Sequence, residues 1–493
     1  MQRLTNTSLA EQHARANLSA GVERFSYNRA QVRPGVVHFG VGNFHRSHQA
    51  FYIEQLLERG SSDWGIVGVS LRSSSARDRL APQDYLYTLA TLGEESRLRI
   101  VGALLDILVA RENPEAVIAQ VADPAIKLVT TTITEKGYCL TGARLDEAHT
   151  DFSADLVSLE NPRSIYGYLA SAILRRAQTD AATKITAQPS PLTIVCCDNI
   201  HAGGDRLREG VTKLIIAHAP NGLPWFEKHI RIASSMVDRV SPSTTADLID
   251  RVHRELGLLD ESPVAAEPFS QWVIEGEPNQ YTDLLRQTGV QFSDEITRYE
   301  QMKLHFLNAA HSAIAVIGYL GQCTTVHKAL AAPGVLEFVR TLLTNTLLPL
   351  TLTPTGEDPL VYIDEIIARF QNESLPYNVQ QINTDCSEKI QQRWFPSIDA
   401  ALEKSHPTDQ LSFIGAVWVH YIQRALLDND LKDPRTELYR QLNPAETTAV
   451  DYLLVAGAER FQFSSDPVFV EQVLHYHERL RTEPMDILLQ ELR

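Results

Sequence analysis

Cysteine is scarce and scattered in this chain. Its 493 residues include five (Cys139, Cys196, Cys197, Cys323 and Cys386), an odd number with no Cys-x-x-Cys pair. That leaves no disulfide framework and no zinc-ribbon spacing, and it fits a reduced, cytoplasmic protein. Positive charge is in deficit too. Forty-five Lys and Arg against 61 Asp and Glu give a formal net charge of −16, which argues against nucleic acid or an anionic membrane as partner. No run approaches the ~18 apolar residues of a membrane span, and the opening Met-Gln-Arg-Leu-Thr-Asn-Thr-Ser lacks the apolar core of a signal peptide. Internal repeats and low-complexity segments are absent. What remains, 44% hydrophobic and 22% charged residues, is ordinary for a soluble globular enzyme, and the length exceeds one core, so two or three domains are expected.

Residues 1–30 are polar and tolerate helix, as an N-terminal arm would. Gly35-Val-Val-His-Phe-Gly-Val-Gly-Asn-Phe-His-Arg then changes the character of the chain. The pattern predicts a strand over 36–39, a tight turn at Gly40 and Gly42, and a helix over 44–57. That is the context in which backbone N–H groups meet a dinucleotide pyrophosphate, with Asn43 and Phe44 beside it. His45 replaces the third glycine of the fingerprint, and an ordinary strand-to-helix turn would read the same. A second strand is expected over 64–71, followed by Arg72-Ser-Ser-Ser-Ala-Arg-Asp78. NAD enzymes usually carry an acid at the end of this strand for the ribose hydroxyls. Here nothing acidic precedes Asp78, while Arg72, Ser74 and Ser75 can accept a 2′-phosphate. NAD and NADP both stay open.

The β-branched run over 126–134 predicts an interior strand whose carboxyl edge, where ligands sit, carries Thr134 as a cofactor contact, followed by Glu135. An amphipathic helix is expected over 164–176. A buried strand over 192–199 ends in Asp198 and Asn199, a functional pointer in a doubly wound sheet that an Asx turn would mimic. The same pattern recurs over 235–240, where Asp238 and Arg239 are either an ion pair or substrate contacts. Beyond about residue 280 strand-like runs thin out, and helical periodicity marks 334–348, 359–371, 410–427, 445–460 and 467–479. The fold class is α/β: a Rossmann-type dinucleotide-binding domain over 1–285, then a mostly α-helical substrate-binding domain over 286–493.

Tyr299-Glu-Gln-Met-Lys-Leu-His-Phe-Leu-Asn-Ala-Ala-His-Ser reads as the opening of a buried helix with three polar residues set into an apolar background: Lys303, Asn308 and His311. At about 100° per residue all three share one side of the axis. A half-desolvated lysine can lose its proton near neutral pH and act as a base. An asparagine can hold an oxyanion without adding charge, and a histidine can orient an oxygen. A surface lysine followed by two satisfied core residues fits the same pattern.

Together the segments His38-Phe-Gly-Val-Gly-Asn-Phe-His-Arg-Ser-His-Gln49, Thr132-Ile-Thr-Glu-Lys-Gly-Tyr138, Cys197-Asp-Asn199, Met236-Val-Asp-Arg239, Glu267-Pro-Phe-x-Gln-Trp-Val273, Tyr299-Glu-x-Met-Lys303 and the Asn308/His311 pair resemble the polyol-specific long-chain dehydrogenase/reductase family. The resemblance spans essentially the whole chain. It implies a Rossmann-type domain, a helical domain, and a metal-independent NAD(P) reaction that interconverts a polyol secondary alcohol and a ketone. It further implies Lys303 as general base, Asn199 and Asn308 flanking the substrate oxygen, and His311 positioning that oxygen. Asp238 would bind a neighbouring hydroxyl, Arg369 and Lys389 would reach the far end of the substrate, and Glu135 and Glu300 would line a proton path. The residue logic agrees, because the nicotinamide takes the hydride and the protein need only take a proton, hold an alkoxide and fix a carbon. A zinc-dependent alternative would need a Cys/His/Glu set, and none is evident.

Three departures stand out. Asn308-Ala-Ala-His311 replaces Asn-Gly-Ser-His, Asp385-Cys-Ser387 replaces Asp-Gly-Ser, and Ser74 and Ser75 stand where NAD-specific relatives carry an acidic pair. The expected reaction is D-mannitol to D-fructose and its reverse. Reduction of D-fructuronate to D-mannonate is the second reading, in which Arg369, Lys389 or Arg393 meets a carboxylate. Arabinitol and sorbitol are further substrates of the same machinery, and a non-catalytic dinucleotide-binding regulator is the remote alternative. The expected partners are a small polyol or ketose, with no nucleic acid and no membrane, for a monomer or weak homo-oligomer.

Overall fold

Six short runs of aliphatic and β-branched residues, buried almost throughout, build the central sheet: β1 (Pro34–Phe39), β2 (Gly65–Ser70), β3 (Leu104–Val109), β4 (Leu128–Thr131), β5 (Leu192–Cys196) and β6 (Ile230–Ala233). All five pairings are parallel, and the spatial order is β3-β2-β1-β4-β5-β6. This is the doubly wound order of dinucleotide-binding folds, reversing between β1 and β4. Alternate side chains serve opposite faces. Val37, Phe39, Val129 and Ile194 join a core with helices Ile165–Thr183 and Gly203–His218. Val36, Leu128 and Val195 join a second core with helix Gln49–Glu58. Burial on both faces explains why these strands read as continuous apolar runs.

The computed structural model describes residues 2–14, 21–142, 144–183, 191–443 and 446–493. The chain divides into two compact units, Met1–Thr297 and Arg298–Arg493. Besides a two-stranded ribbon, Leu140–Thr141 with Arg144–Leu145, two further sheets belong to the first unit. One has four strands, Val22–Arg24, Arg97–Val101, Tyr87–Thr91 and Val264–Ala266. The other joins Ser235–Asp238 antiparallel to Gln271–Glu275, which pairs in parallel with Gln291–Ser293. The 235–240 run is thus a strand, as expected, but outside the doubly wound sheet. Its partner is a distant antiparallel segment that local pattern cannot reveal. The helix expected over 44–57 is divided at His48 (φ −116°, ψ −86°) into Asn43–Ser47 and Gln49–Glu58.

The second unit is helical. Ala309–Leu320 and Asp409–Leu427 are its most deeply buried helices, and Pro359–Phe370 and Pro467–Thr482 fall where periodicity puts them. The 334–348 pattern begins as helix Val335–Thr341 and passes into a π-helical turn, Leu342–Leu347. Helix Ala449–Val455 lies within the 445–460 pattern, whose first residue falls outside the described residues. Among the described residues no helix is long and apolar enough to cross a membrane.

Candidate active site

The carboxyl ends of β1 and β4 meet at the point where the strand order reverses, which is where such sheets bind ligands. Gly40 follows β1 with φ +101°, open to glycine alone among common residues, and a Cβ there would lie 2.0 Å from the Thr132 carbonyl oxygen. The turn is pinned from both sides. Gly40 N–H donates to Val69 O at 2.8 Å, and the Thr132 hydroxyl donates to Gly40 O at 2.8 Å. Gly42 is exposed, with nothing within 4 Å of where a Cβ would stand. Open backbone at the switch point fits a dinucleotide pyrophosphate.

His45, which replaces the third glycine, turns inward. Its ring stacks on His38 with centroids 3.3 Å apart and planes 11° from parallel, and both side chains are buried. His38 Nδ1 lies 2.7 Å from Thr130 Oγ1, and Nε2 lies 2.8 Å from Thr132 Oγ1. Burial pushes His38 down to about 3 and His45 well below its ordinary range, so the stack is neutral and packs like an aromatic pair. Asn43 is held within the protein: Nδ2 donates to Thr244 Oγ1 at 3.2 Å, and Oδ1 accepts from Arg46 Nη2 at 2.8 Å. Phe44, half-buried, stacks on His48 at 4.9 Å.

Past β2, helix Ser75–Leu80 folds Asp78 back onto Ser74, whose hydroxyl donates to Asp78 Oδ2 at 2.6 Å. The Ser74 and Arg77 hydrogen bonds hold the Asp78 carboxyl below its ordinary range. Arg77 bridges Asp78 and Glu112, and Arg72, with 58% of its side chain exposed, reaches Asp151 at 3.4 Å. Ser75 is exposed, and its N–H donates to Ser73 Oγ at 3.2 Å. The first acid past the end of β2 thus stands eight residues beyond it, at Asp78, brought against Ser74 by a helical turn.

Past β4 the chain makes a tight turn, residues 134–138, in which Thr134 adopts φ +67°, ψ 161°. Only glycine occupies that region without strain, and the cost to other residues is about 1–3 kcal/mol. The turn lies against the end of β5. Asp198 Oδ1 accepts from Thr134 N–H at 2.8 Å, and its Oδ2 accepts from the buried Tyr138 hydroxyl at 2.5 Å. Asp198 is 9% exposed, and burial pushes its carboxyl upward. Asn199, next in sequence, is exposed. Glu135 opens the turn, and its side chain lies outside the described residues. Asp238, at the end of its antiparallel strand, is 2% exposed. Arg239 is no substrate contact by geometry: Nε and Nη2 donate to Glu267 O at 3.0 and 2.9 Å, and its guanidinium lies over Phe51.

In the second unit the expected helix opening is instead a helix in mid-course. Ile296–Met302 is α-helical, Lys303–Asn308 is a π-helical turn, and Ala309–Leu320 is α-helical again. The Ala309 N–H reaches back to Leu304 O, the i→i+5 bond that defines the wide turn. Spacing at about 100° per residue therefore fails here, and the wider turn carries Asn308 back toward the Lys303 side of the axis. π-turns recur at functional sites. Lys303 is half-buried, while Asn308 and His311 are 8% and 6% exposed. His311 is set between two rings, with centroids 4.5 Å from Phe370 and 5.2 Å from Tyr377. Ala309 and Ala310 are fully buried, so their methyl groups fill core space. Glu300, Arg369 and Lys389 are half-buried, and Lys389 Nζ donates to Ile382 O at 2.8 Å. The Cys386 of the unusual Asp-Cys-Ser is buried, and Ser387 beside it donates N–H and hydroxyl to the two Asp433 oxygens at 2.8 and 2.7 Å. Sequence reasoning did not single out Arg46, Asp433 or the His38–His45 stack, since each is defined by distant partners.

A parallel sheet in this order, with a glycine turn at its switch point, defines a dinucleotide-binding unit of Rossmann type. The match to known proteins is closer. The mannitol dehydrogenase Rossmann domain matches residues 34–285, and the mannitol dehydrogenase C-terminal domain matches residues 295–481. Polyol:NADP oxidoreductase of Gluconobacter oxydans is 34% identical over 406 residues, covering 80% of this chain and 82% of that protein. D-mannonate oxidoreductase of Escherichia coli is 32% identical over 437 residues, covering 86% and 87%. The solved ternary complex of Pseudomonas fluorescens mannitol 2-dehydrogenase with NAD and D-mannitol superposes with a TM-score of 0.84 at 29% identity, covering 100% of this chain and 99% of that one. The chain belongs to the mannitol dehydrogenase family, the polyol-specific long-chain dehydrogenases that its motifs resemble, and is an NAD(P)-dependent oxidoreductase of that kind.

Proposed function

We propose that the chain interconverts D-mannitol and D-fructose without a metal, residues 1–285 binding the dinucleotide and 286–493 supplying most of the substrate contacts. The observation that carries this reading is the π-helical turn that holds Lys303 and Asn308, with His311 fixed between Phe370 and Tyr377. When bound, the nicotinamide supplies the hydride acceptor. Lys303 Nζ takes the hydroxyl proton, amide donors of Asn199 and Asn308 hold the developing alkoxide, and His311 orients that oxygen. Asp238 accepts from a neighbouring hydroxyl, Arg369 and Lys389 meet the distal hydroxyls, and Glu135 and Glu300 pass the proton to solvent.

The second reading is reduction of D-fructuronate, favoured by the identity to D-mannonate oxidoreductase. Against it, Lys389 and Arg393 each spend a donor on a main-chain carbonyl, which leaves less cationic capacity for a carboxylate. NAD(H) is the preferred dinucleotide, since Asp78 and Ser74 together present a carboxylate and a hydroxyl that suit ribose hydroxyls and repel a 2′-phosphate. Gly40, Gly42, Asn43 and Phe44 form the pyrophosphate side of that site. With all five cysteines free, the reading extends to a cytoplasmic monomer or weak homo-oligomer.

The test is the absorbance of reduced nicotinamide, crossing NADH and NADPH with D-fructose, D-fructuronate and D-tagaturonate. Fast reduction of fructose with NADH is expected. Preference for a uronate would replace the proposal by the second reading, and inactivity on all six pairs would end both.

A further inference from the structure

Thr134 is a strained link between the ends of β4 and β5. Its φ of +67° with ψ 161° belongs to glycine, yet the residue is a β-branched threonine. A strained conformer persists only where its surroundings over-determine it. Here the side chain that holds it is a carboxylate. Asp198 Oδ1 takes the Thr134 N–H at 2.8 Å, Oδ2 takes the Tyr138 hydroxyl at 2.5 Å, and Gly137 N–H closes on Thr134 O at 2.9 Å. The two oxygens thus grip both ends of the turn. Tyr138 is itself fixed, its hydroxyl 2.7 Å from Thr131 Oγ1 and 3.2 Å from Cys196 Sγ.

What the turn holds is the dinucleotide side of the sheet. Two residues before Thr134, Thr132 donates N–H to Phe39 O and hydroxyl to Gly40 O, both at 2.8 Å. A chain of direct contacts therefore runs from the Asp198 carboxylate through Thr134 and Thr132 to the glycine turn. On its other side Asp198 is bonded in sequence to Asn199.

We propose that Asp198 is a positioning residue: its carboxylate locks Thr134 in a glycine-like conformation and so sets both the Gly40 turn and the Asn199 backbone. This rests on the dinucleotide-dependent reading above. Thr134→Gly separates it from a merely stabilising role, because glycine takes the same conformation without a clamp.

Four proteins decide the matter: wild type, D198A, T134G and D198A/T134G. Each is assayed for kcat/KM and titrated with NADH alone by nicotinamide fluorescence. D198A should lose about 100-fold in kcat/KM and about 10-fold in NADH affinity relative to wild type, whereas the same change made in the T134G background should cost about 10-fold less in kcat/KM. Should D198A fail to fold, D198N replaces it in the same square and should show the same order. An equal loss in the two backgrounds, or wild-type NADH affinity in D198A, would overturn the proposal. The NADH titration decides the clamp even if wild type reduces none of the sugars, so failure of the substrate reading stays distinguishable.

Discussion

Arg393 donates from Nη1 to the main-chain carbonyl of Asn308 at 3.1 Å and to Ser312 Oγ at 2.8 Å. Its neighbour Trp394 donates from Nε1 to the carbonyl of Ala309 at 3.2 Å. Both carbonyls lie where the π-turn returns to α-helix, a junction that disturbs the regular ladder of intrahelical bonds. Two side chains from the end of helix Cys386–Arg393 thus brace the turn that carries Lys303 and Asn308. Arg393→Ala should cost about 10- to 100-fold in kcat, the worth of one or two charge-assisted hydrogen bonds. NADH affinity should hold, because the Rossmann turn is untouched. A rise in KM for the sugar at constant kcat would instead make Arg393 a substrate ligand.

Lys303→Ala tests the base. Its removal should lower kcat by about 1,000-fold or more, beyond the common range for one acid–base group because the alkoxide also loses its neighbouring charge. NADH should still bind within about threefold of wild type by fluorescence titration, since Lys303 lies in the helical unit. Turnover near the wild-type rate would remove Lys303 from the mechanism.

Asp78→Ser tests dinucleotide choice. The substitution removes the carboxylate that accepts from Ser74 and releases Arg77 from half of its pairing. Loss of a like charge and gain of an available guanidinium both favour a 2′-phosphate. The ratio of kcat/KM for NADPH to that for NADH should rise about 10-fold or more. A ratio that does not move would place the discriminating contact elsewhere.

The four inner strands of the sheet are legible because they are buried on both faces: runs such as Leu192-Thr-Ile-Val-Cys carry the signal in every residue, whereas the edge strands Leu104–Val109 and Ile230–Ala233 are interrupted by Asp106 and Arg231 and do not. Gly40 and Gly42 announced the turn by the same local logic. The π-turn was not legible. Nothing in Lys303-Leu-His-Phe-Leu-Asn308 separates an i→i+5 bond from an i→i+4 bond, because tertiary donors such as Arg393 decide it. For the same reason the acid beside Ser74 was passed over: Asp78 reaches it only once helix Ser75–Leu80 has formed. The end-of-strand pair Asp198-Asn199 was read as functional, but the division of labour between clamp and neighbour needed the Thr134 N–H bond.

Glu54 gives the pH prediction. It is fully buried on helix Gln49–Glu58 and takes N–H bonds from Gly102 and Ala103 at 3.0 and 2.8 Å and the Tyr27 hydroxyl at 3.0 Å. Desolvation outweighs these donors and pushes its carboxyl up to about 7. A carboxyl whose folded value is raised binds its proton more tightly in the native state. It therefore contributes stability that is fully present below the ordinary carboxylate range and is lost as pH rises toward 7. The shift corresponds to about 3 kcal/mol across that window. Glu54→Gln keeps the shape and cannot titrate, so its thermal midpoint should change less than that of wild type between pH 5 and pH 8, as followed by circular dichroism. The variant should also be more stable relative to wild type at the upper pH than at the lower. Parallel profiles for the two proteins would show that Glu54 carries its charge in the native state throughout, with its three donors outweighing burial.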